Sequence, residues 1–122
     1  MATEQDLEGS RLLVELLADK WTFPVLGALC SNGGRQRFNA LRREIPDVSQ
    51  KSLVACLKRL EINGLIERVV MTQGRLAVEY RVTPLGHSLD EPISALIRWS
   101  QKYRPEIEAA RVAAAEREIQ AA

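Results

Sequence analysis

The sequence predicts a mainly α-helical domain with one small β-hairpin, formed by residues 1–122 as a single unit. The length of 122 residues lies within the range of about 100–200 residues that one domain usually occupies. Apolar residues recur at helical spacing along most of the chain. Only residues 65–71 and 78–82 have the composition and pattern of strands.

The first two helices are indicated by leucine spacing and by residues that begin or end a helix. The first helix is predicted over residues 5–18. Thr22 is the expected N-cap of the second helix, and Pro24 falls in its first turn, where a missing N–H does little harm. Gly33 and Gly34 end it.

A tight turn at residues 45–49 joins a short helix, 38–45, to a longer helix, 50–62. Ser49 is a good N-cap for the longer helix, and Asn63-Gly64 closes it. Leucines at spacings of 4 and 3 line its inner face. The opposite face carries cations and small side chains, namely Lys51, Ser52, Ala55, Lys58 and Arg59.

The strand-like segments 65–71 and 78–82 are expected to pair as a hairpin about the turn Gln73-Gly74-Arg75. Thr83 then resembles an N-cap with Pro84 at the first helical position, which predicts a helix to about residue 103. After Arg104-Pro105 we expect a separate last helix over residues 106–120.

Positive charge is concentrated in the middle of the chain. Residues 35–81 hold ten basic and five acidic side chains, whereas the whole chain has a net charge of +1. A basic centre between acidic flanks suits a protein that meets a polyanion. The alternative interpretation is an ordinary solvated surface.

The order of the elements is that of a winged helix-turn-helix with extra N- and C-terminal helices. In this arrangement helix 50–62 is the recognition helix, whose first residues reach base edges in the major groove of DNA. The hairpin over residues 65–82 is the wing, and Arg75 near its tip is expected to reach a phosphate or the minor groove.

Eight segments between residues 7 and 100 follow one another in the register of a known family. They are Lys20-Trp21-Thr22, Arg37-Phe38-Asn39-Ala40-Leu41-Arg42, Ile45-Pro46, Val48-Ser49-Gln50-Lys51-Ser52-Leu53, Leu57-Lys58-Arg59-Leu60-Glu61, Asn63-Gly64-Leu65-Ile66, Val78-Glu79-Tyr80 and Thr83-Pro84-Leu85-Gly86-His87-Ser88-Leu89. Taken together they resemble the HxlR-type transcriptional regulators. The resemblance implies a bacterial or archaeal homodimer that binds double-stranded DNA at a pseudo-palindromic operator and acts as a repressor or an activator.

The predicted DNA-binding residues lie on the recognition helix, on the short helix before it and on the wing. For Arg42 and Arg43 the alternative is a salt bridge with Glu44 or Asp47, and for Gln50 it is support of the helix N-terminus. The full set is Arg37, Arg42, Arg43, Ser49, Gln50, Lys51, Ser52, Ala55, Lys58, Arg59 and Arg75.

The two ends of the chain are the predicted dimerisation regions. Residues 1–20 and 84–122 would form the interface, and residues 21–83 the DNA-binding core and wing. The last helix has too thin an apolar face to be stable alone, so it should pack on a partner or on the first helix. The predicted interface residues are Leu12, Leu13, Leu16, Leu17, Leu89, Ile93, Leu96, Ile97, Trp99 and Ile107.

Two features depart from the family pattern. Many members carry a Cys-Pro pair, in some of them a redox sensor, at the place that Glu8-Gly9-Ser10 occupies here. The wing has Gly74-Arg75-Leu76-Ala77 where family members often have Pro-Pro followed by a basic residue. Cys30 and Cys56 are the only candidates for redox sensing, and the alternative for both is a small buried apolar residue.

Other classes of protein are not expected. With one histidine and two cysteines, the chain has no nucleophile–base set or metal-ligand spacing, so we expect neither an enzyme nor a bound metal or cofactor. There is no signal peptide and no membrane span, which predicts a cytoplasmic, nucleoid-associated protein. The alternative function is a winged-helix module that binds protein. A small-molecule effector is left open, and Trp21 and Trp99 could line its pocket or be packing residues.

Overall fold

The structure is a computed structural model, and it describes residues 1–71 and 77–121. It confirms the mainly helical class, with a small three-stranded antiparallel sheet in place of a two-stranded hairpin. The elements are α1 (Glu4–Leu17), α2 (Thr22–Ser31), β1 (Arg35–Arg37), α3 (Phe38–Glu44), α4 (Gln50–Ile62), β2 (Ile66–Met71), β3 (Ala77–Val82), α5 (Pro84–His87) and α6 (Asp90–Ala121).

The N-terminal helices begin at residues other than those predicted. Thr3 and Asp6 form a capping box at the start of α1, because each side chain accepts a hydrogen bond from the other's backbone N–H. Thr22 is not the N-cap of α2. Trp21 occupies that position without a side-chain cap, and Thr22 is the first helical residue and fully buried. The Thr22 hydroxyl instead accepts a hydrogen bond from Arg59 Nη2 at 2.8 Å.

The helix-turn-helix packs as the leucine spacing predicts. Ser49 is the N-cap of α4, and its Oγ accepts a hydrogen bond from the Ser52 N–H at 3.0 Å. Leu53, Leu57 and Leu60 are at most 1% exposed. They join a core that also contains Val25, Leu26, Leu29, Leu41, Ile45, Val48, Cys56, Leu65, Ile66 and Val82.

The end of α4 is also as expected. Gly64 has a φ of 75°, in the left-handed region where a side chain would be strained. The Gly64 N–H donates to the Glu61 carbonyl and the Leu65 N–H to the Leu60 carbonyl, both at 3.0 Å. These bonds satisfy carbonyls that the end of the helix leaves without partners.

The sheet contains one strand that the sequence does not indicate. β3 is central, with β2 and β1 antiparallel on either side, and the registers include Val69↔Glu79 and Arg37↔Glu79. β1 has only three residues, of which two are arginines and none is apolar. It therefore lacks the alternation by which a strand is recognised. Its pairing comes from the neighbouring β3.

The segment after the sheet also differs from the prediction. Thr83 caps α5, as expected, and its Oγ1 accepts a hydrogen bond from the Gly86 N–H. α5 is only four residues long. The break predicted at Arg104-Pro105 is absent, because α6 is one 32-residue helix with Pro105 inside it. The Arg104–Glu108 ion pair, at 2.8 Å, spans the proline. Pro105 has no N–H to bond the carbonyl one turn before it, but the position is exposed, so water can bond that carbonyl.

Two compact units, Met1–Ser88 and Leu89–Ala122, make up the chain. The first contains the helix-turn-helix and the sheet, and the second is α6. Within residues 1–71 and 77–121, no helix combines the length and the apolar character that crossing a membrane requires.

Replacing Gly86 by alanine should destabilise the fold, because a Cβ there would overlap the Leu65 carbonyl oxygen and come within 2.7 Å of Val82 Cγ1. We expect the free energy of unfolding, measured in urea, to fall by about 2–3 kcal/mol. Gly27→Ala is the control, since nothing lies within 4 Å of a Cβ at that helical position. It should raise stability by about 0.5–1 kcal/mol. Equal effects of the two changes would contradict this packing.

Candidate nucleic-acid interface

The outward face of α4 is small and cationic. Lys51, Ala55 and Lys58 are exposed and Ser52 is half-buried, while the leucine face on the other side is buried. These four residues therefore lie as the sequence predicts. Lys58 approaches Glu61 at 3.5 Å, and because the Lys58 side chain is 67% exposed, this pair restrains it only weakly.

The first turn of α4 is connected to α3. Arg42 Nη1 donates to Gln50 Oε1 at 3.4 Å, and the Ser49 hydroxyl donates to Ser52 Oγ at 2.9 Å. The structure thus brings Arg42, Gln50 and the α4 N-cap to one surface. Gln50 and Ser52 lie about 200° apart around the helix, so they are on opposite flanks of the outward face.

A second cationic surface lies between α3 and β3. A concave region of about 540 Å³ is lined by residues of β1, α3 and β3. They are Arg37, Phe38, Asn39, Ala40, Arg43, Ala77 and Val78. Arg37 and Arg43 are exposed. Asn39 was not among the predicted contacts, and only its position in the turn of α3 that holds Arg43 could have indicated it.

The carboxylate of Glu44, which lies near these cations, has other partners. Glu44 Oε1 accepts hydrogen bonds from Asn32 Nδ2 and Gln36 Nε2, each at 2.9 Å. In the part of the chain that the structure describes, the ion pairs include neither Arg42 nor Arg43. The alternative of salt bridges to Glu44 or Asp47 is therefore not what the geometry favours.

Arg59 is the exception among the predicted residues of α4. Its guanidinium Nη2 donates to Asp19 Oδ2 at 2.6 Å and to Thr22 Oγ1 at 2.8 Å, and lies 3.6 Å from Cys56 Sγ. The sequence predicts a DNA contact for Arg59, but its guanidinium is paired within the protein and is not a free cation on the outward face. A helical wheel of α4 places Arg59 at the edge of the outward face. From there its long side chain reaches the connection between α1 and α2.

The same ion pair sets the ionisation of Asp19. Partial burial raises the pKa of its carboxyl group. The hydrogen bond from Arg59, the Trp21 N–H and the guanidinium charge lower it by more, so the net pKa lies below the usual value. Asp19 is therefore ionised at neutral pH, and the positive charge of Arg59 compensates its negative charge.

The two cysteines occupy different environments. Cys56 is fully buried, and burial raises the pKa of its thiol although the charge of Arg59 opposes that effect. A thiol kept protonated and covered reacts slowly with oxidants, so the structure favours the packing interpretation for Cys56. Cys30 is half-buried at the end of α2.

Two of the sheet arginines also have a partner. Glu79 is only 8% exposed, and its carboxylate lies 3.7 Å from Arg35 and 3.5 Å from Arg81. These arginines therefore compensate a buried charge. Arg75, at the predicted tip of the wing, falls outside the described residues, as does the predicted turn around it.

Large apolar side chains are exposed on α1 and α6. Neither helix contains a buried residue. The predicted interface residues Leu12, Leu13, Leu96, Ile97 and Trp99 are between 43% and 55% exposed. The others, Leu16, Leu17, Leu89, Ile93 and Ile107, are half-buried.

The tight turn, the capped helix with its outward cations and the adjoining three-stranded sheet define a winged helix-turn-helix protein of the kind that regulates transcription. A family model described as HxlR-like helix-turn-helix matches residues 16–108. The chain belongs to this family.

Relatives of known name agree with that assignment. The HTH-type transcriptional regulator YtfH of Escherichia coli K12 is 36% identical over 102 residues, which cover 84% of this chain and 79% of the relative. YkvN of Bacillus subtilis 168, also an HTH-type transcriptional regulator by name, is 36% identical over 95 residues, covering 78% and 79%. This chain is thus homologous to DNA-binding transcriptional regulators.

Solved structures show the same architecture. The redox regulator HypR in its reduced form superposes with a TM-score of 0.75 at 27% identity, covering 83% of this chain and 98% of that one. The transcriptional regulator YtfH from Salmonella typhimurium superposes with a TM-score of 0.69 at 34% identity, covering 84% and 89%.

The Asp19–Arg59 pair should contribute a coupling energy of about 1 kcal/mol to folding, because both side chains are less than one-third exposed. A double-mutant cycle with Asp19→Asn and Arg59→Met, followed by urea denaturation, measures it. The Lys58–Glu61 pair, at 3.5 Å and with its lysine 67% exposed, is the control and should show a smaller coupling.

The coupling should depend on pH in a defined direction. Since the pKa of Asp19 is lowered in the folded state, the stabilisation is complete above the unfolded pKa of about 4. The coupling energy should disappear as pH falls through the lower pKa that Asp19 has in the folded protein. A coupling that is absent at neutral pH would contradict the ion pair.

Proposed function

We propose that this chain is a homodimeric, sequence-specific DNA-binding regulator that acts as a repressor at the nucleoid. α4 reads the major groove, and the wing over residues 65–82 contacts the flanking groove or backbone. The observation that carries the proposal is the division of α4 into a buried leucine face and an exposed face of cations and small side chains. Small side chains allow the helix backbone to approach base edges closely, and cations supply attraction to phosphates.

The surfaces next to α4 fit the same role. Arg37 and Arg43 line the concave region beside β3, and Arg42 adjoins Gln50 at the start of α4. Phosphate contacts fix the position of a protein on the duplex. We therefore assign Arg37, Arg42 and Arg43 to the backbone, and Gln50, Lys51, Ser52 and Ala55 to the groove.

Dimerisation follows from the apolar surface and from the needs of specific binding. One recognition helix touches few base pairs, and two-fold dimers overcome this by reading two half-sites about one helical turn apart. The exposed leucines of α1 and the exposed Leu96, Ile97 and Trp99 of α6 are large apolar side chains in contact with water, and apolar surface that clusters in this way can mark an interaction site. We assign these faces to the dimer interface.

Repression is the mode that these elements support. The described residues form a reading head and helices suited to dimerisation, and occupation of an operator by such a dimer is sufficient to block transcription. Activation would need an additional surface that contacts the transcription machinery.

Binding to the DNA upstream of the chain's own gene should depend strongly on salt. With six or more phosphate contacts per dimer, affinity should fall about 10³-fold or more between 50 and 200 mM salt.

Lys51→Ala should weaken binding by about 1–3 kcal/mol without loss of thermal stability, since Lys51 is exposed. Arg117→Ala on α6 is the matched control and should bind like the wild type. Titrations by fluorescence anisotropy measure all three proteins.

A DNA affinity that does not change with salt, or a wild-type protein that does not bind duplex DNA, would overturn the proposal. That result would favour the alternative of a winged-helix module that binds protein.

Trp99→Glu should produce monomers that no longer bind DNA specifically, because it places a charge in the proposed interface while Trp99 is 55% exposed and not required by the fold. Arg98→Glu is the control. Arg98 is exposed on the same helix and points about 100° away from both Trp99 and Ile97, so this variant should remain dimeric. Sedimentation velocity at micromolar concentration distinguishes the two. A folded wild-type monomer with full DNA affinity would contradict the dimer.

A further inference from the structure

We propose that Lys20, in the connection between α1 and α2, forms a second phosphate-binding site for DNA, on the flank of α4 opposite Arg42. This inference rests on the proposed function. Neither the family motif as read in the sequence nor the predicted contact set assigns a role to Lys20.

The first observation is a concave surface shared by the connection and α4. A region of about 490 Å³ is lined by Lys20, Trp21, Ser52 and Ala55, together with Ala18, Asp19 and Arg59. Ser52 and Ala55 are also predicted to face the bases. The concavity is therefore continuous with the reading face of the helix.

Helix and groove dimensions identify what would lie there. The major groove is about 12 Å wide, and a helix with its side chains is about 10–12 Å in diameter. A helix seated in the groove consequently brings the bordering phosphates against whatever stands on its flanks. Arg42 stands on the Gln50 flank, and Lys20 stands on the Ser52 flank.

The charge of the concavity suits an anion. It contains one carboxylate, that of Asp19, which the guanidinium of Arg59 neutralises at 2.6 Å. The remaining charge is the ammonium group of Lys20, which is exposed. Its Nζ lies 4.9 Å from the centroid of the Trp21 ring, a cation–π distance that reduces the freedom of the side chain without removing its charge.

This geometry gives Arg59 a role other than direct readout. By holding Asp19, Arg59 removes a repulsive charge from the path of the phosphate backbone. It also connects α4 to the element that presents Lys20. Arg59 is thus a positioning residue for the proposed site.

The test compares Lys20→Gln and Lys20→Arg with Lys102→Gln as a matched control, because Lys102 is also an exposed lysine over an aromatic ring, Tyr103, at 5.4 Å. Affinities are measured as a function of salt for two probes, a mixed-sequence duplex and the DNA upstream of the chain's own gene. Thermal unfolding verifies that each variant is folded.

Lys20→Gln should lose one phosphate contact per subunit. The slope of log affinity against log salt should become shallower by about 2 for a dimer, and affinity at 0.1 M salt should fall about tenfold on both probes alike. Lys20→Arg should retain the wild-type slope, and Lys102→Gln should be unchanged.

Three results would overturn the inference, and they are distinguishable. An unchanged slope for Lys20→Gln, with the wild type still binding in a salt-dependent way, removes the Lys20 site and leaves the proposed function standing. A loss confined to the upstream DNA would mean a base contact and not a phosphate contact. Absence of wild-type binding to either probe would remove the proposed function and this site together.

Discussion

The leucine face of α4 determines which side chains this helix presents to solvent. Leu53, Leu57 and Leu60 are almost completely buried, and each such side chain contributes about 1.5–3 kcal/mol through the apolar surface that it removes from water. A rotation of the helix about its axis would expose them. The burial therefore fixes the orientation of Lys51 and Ala55 on the opposite side.

A polar contact fixes the helix at a second position. Arg59 reaches from the edge of the outward face to Asp19 and Thr22, at the point where α2 begins. Ser49 holds the first turn through the Ser52 N–H. Apolar burial and these two polar contacts act at different points around and along α4, so the surface that faces DNA in our proposal is defined before DNA arrives.

Charge pairing shapes that surface as much as the cations themselves. Glu79 is compensated by Arg35 and Arg81, and Asp19 by Arg59. These two carboxylates are thereby neutralised, while Arg37, Arg42, Arg43 and Lys51 are exposed cations. The net charge of the chain, only +1, conceals this local arrangement.

The sequence predicts those features that depend on local patterns. The leucine spacing of α4, the Ser49 and Thr83 caps and the turn at Gly64 are all found where the pattern placed them. β1 was missed because its pairing with β3 is non-local. The continuity of α6 through Pro105 was missed because the sequence alone does not show that this part of the helix is exposed. Water can there bond the carbonyl that Pro105 leaves without an N–H partner. Arg59 was misplaced because a wheel gives the direction of the Cβ and not the reach of a long side chain to Asp19, forty residues away along the chain.

The central claim is that the exposed face of α4, with its flanks, is the DNA-binding surface. Amide chemical shifts of the isotope-labelled protein, followed by NMR during titration with duplex DNA from upstream of its own gene, test this directly. We expect the largest changes at residues 50–52, 55 and 58, with further changes at 20–21 and 39–43. Changes confined to α1 and α6, with α4 unaffected, would contradict it.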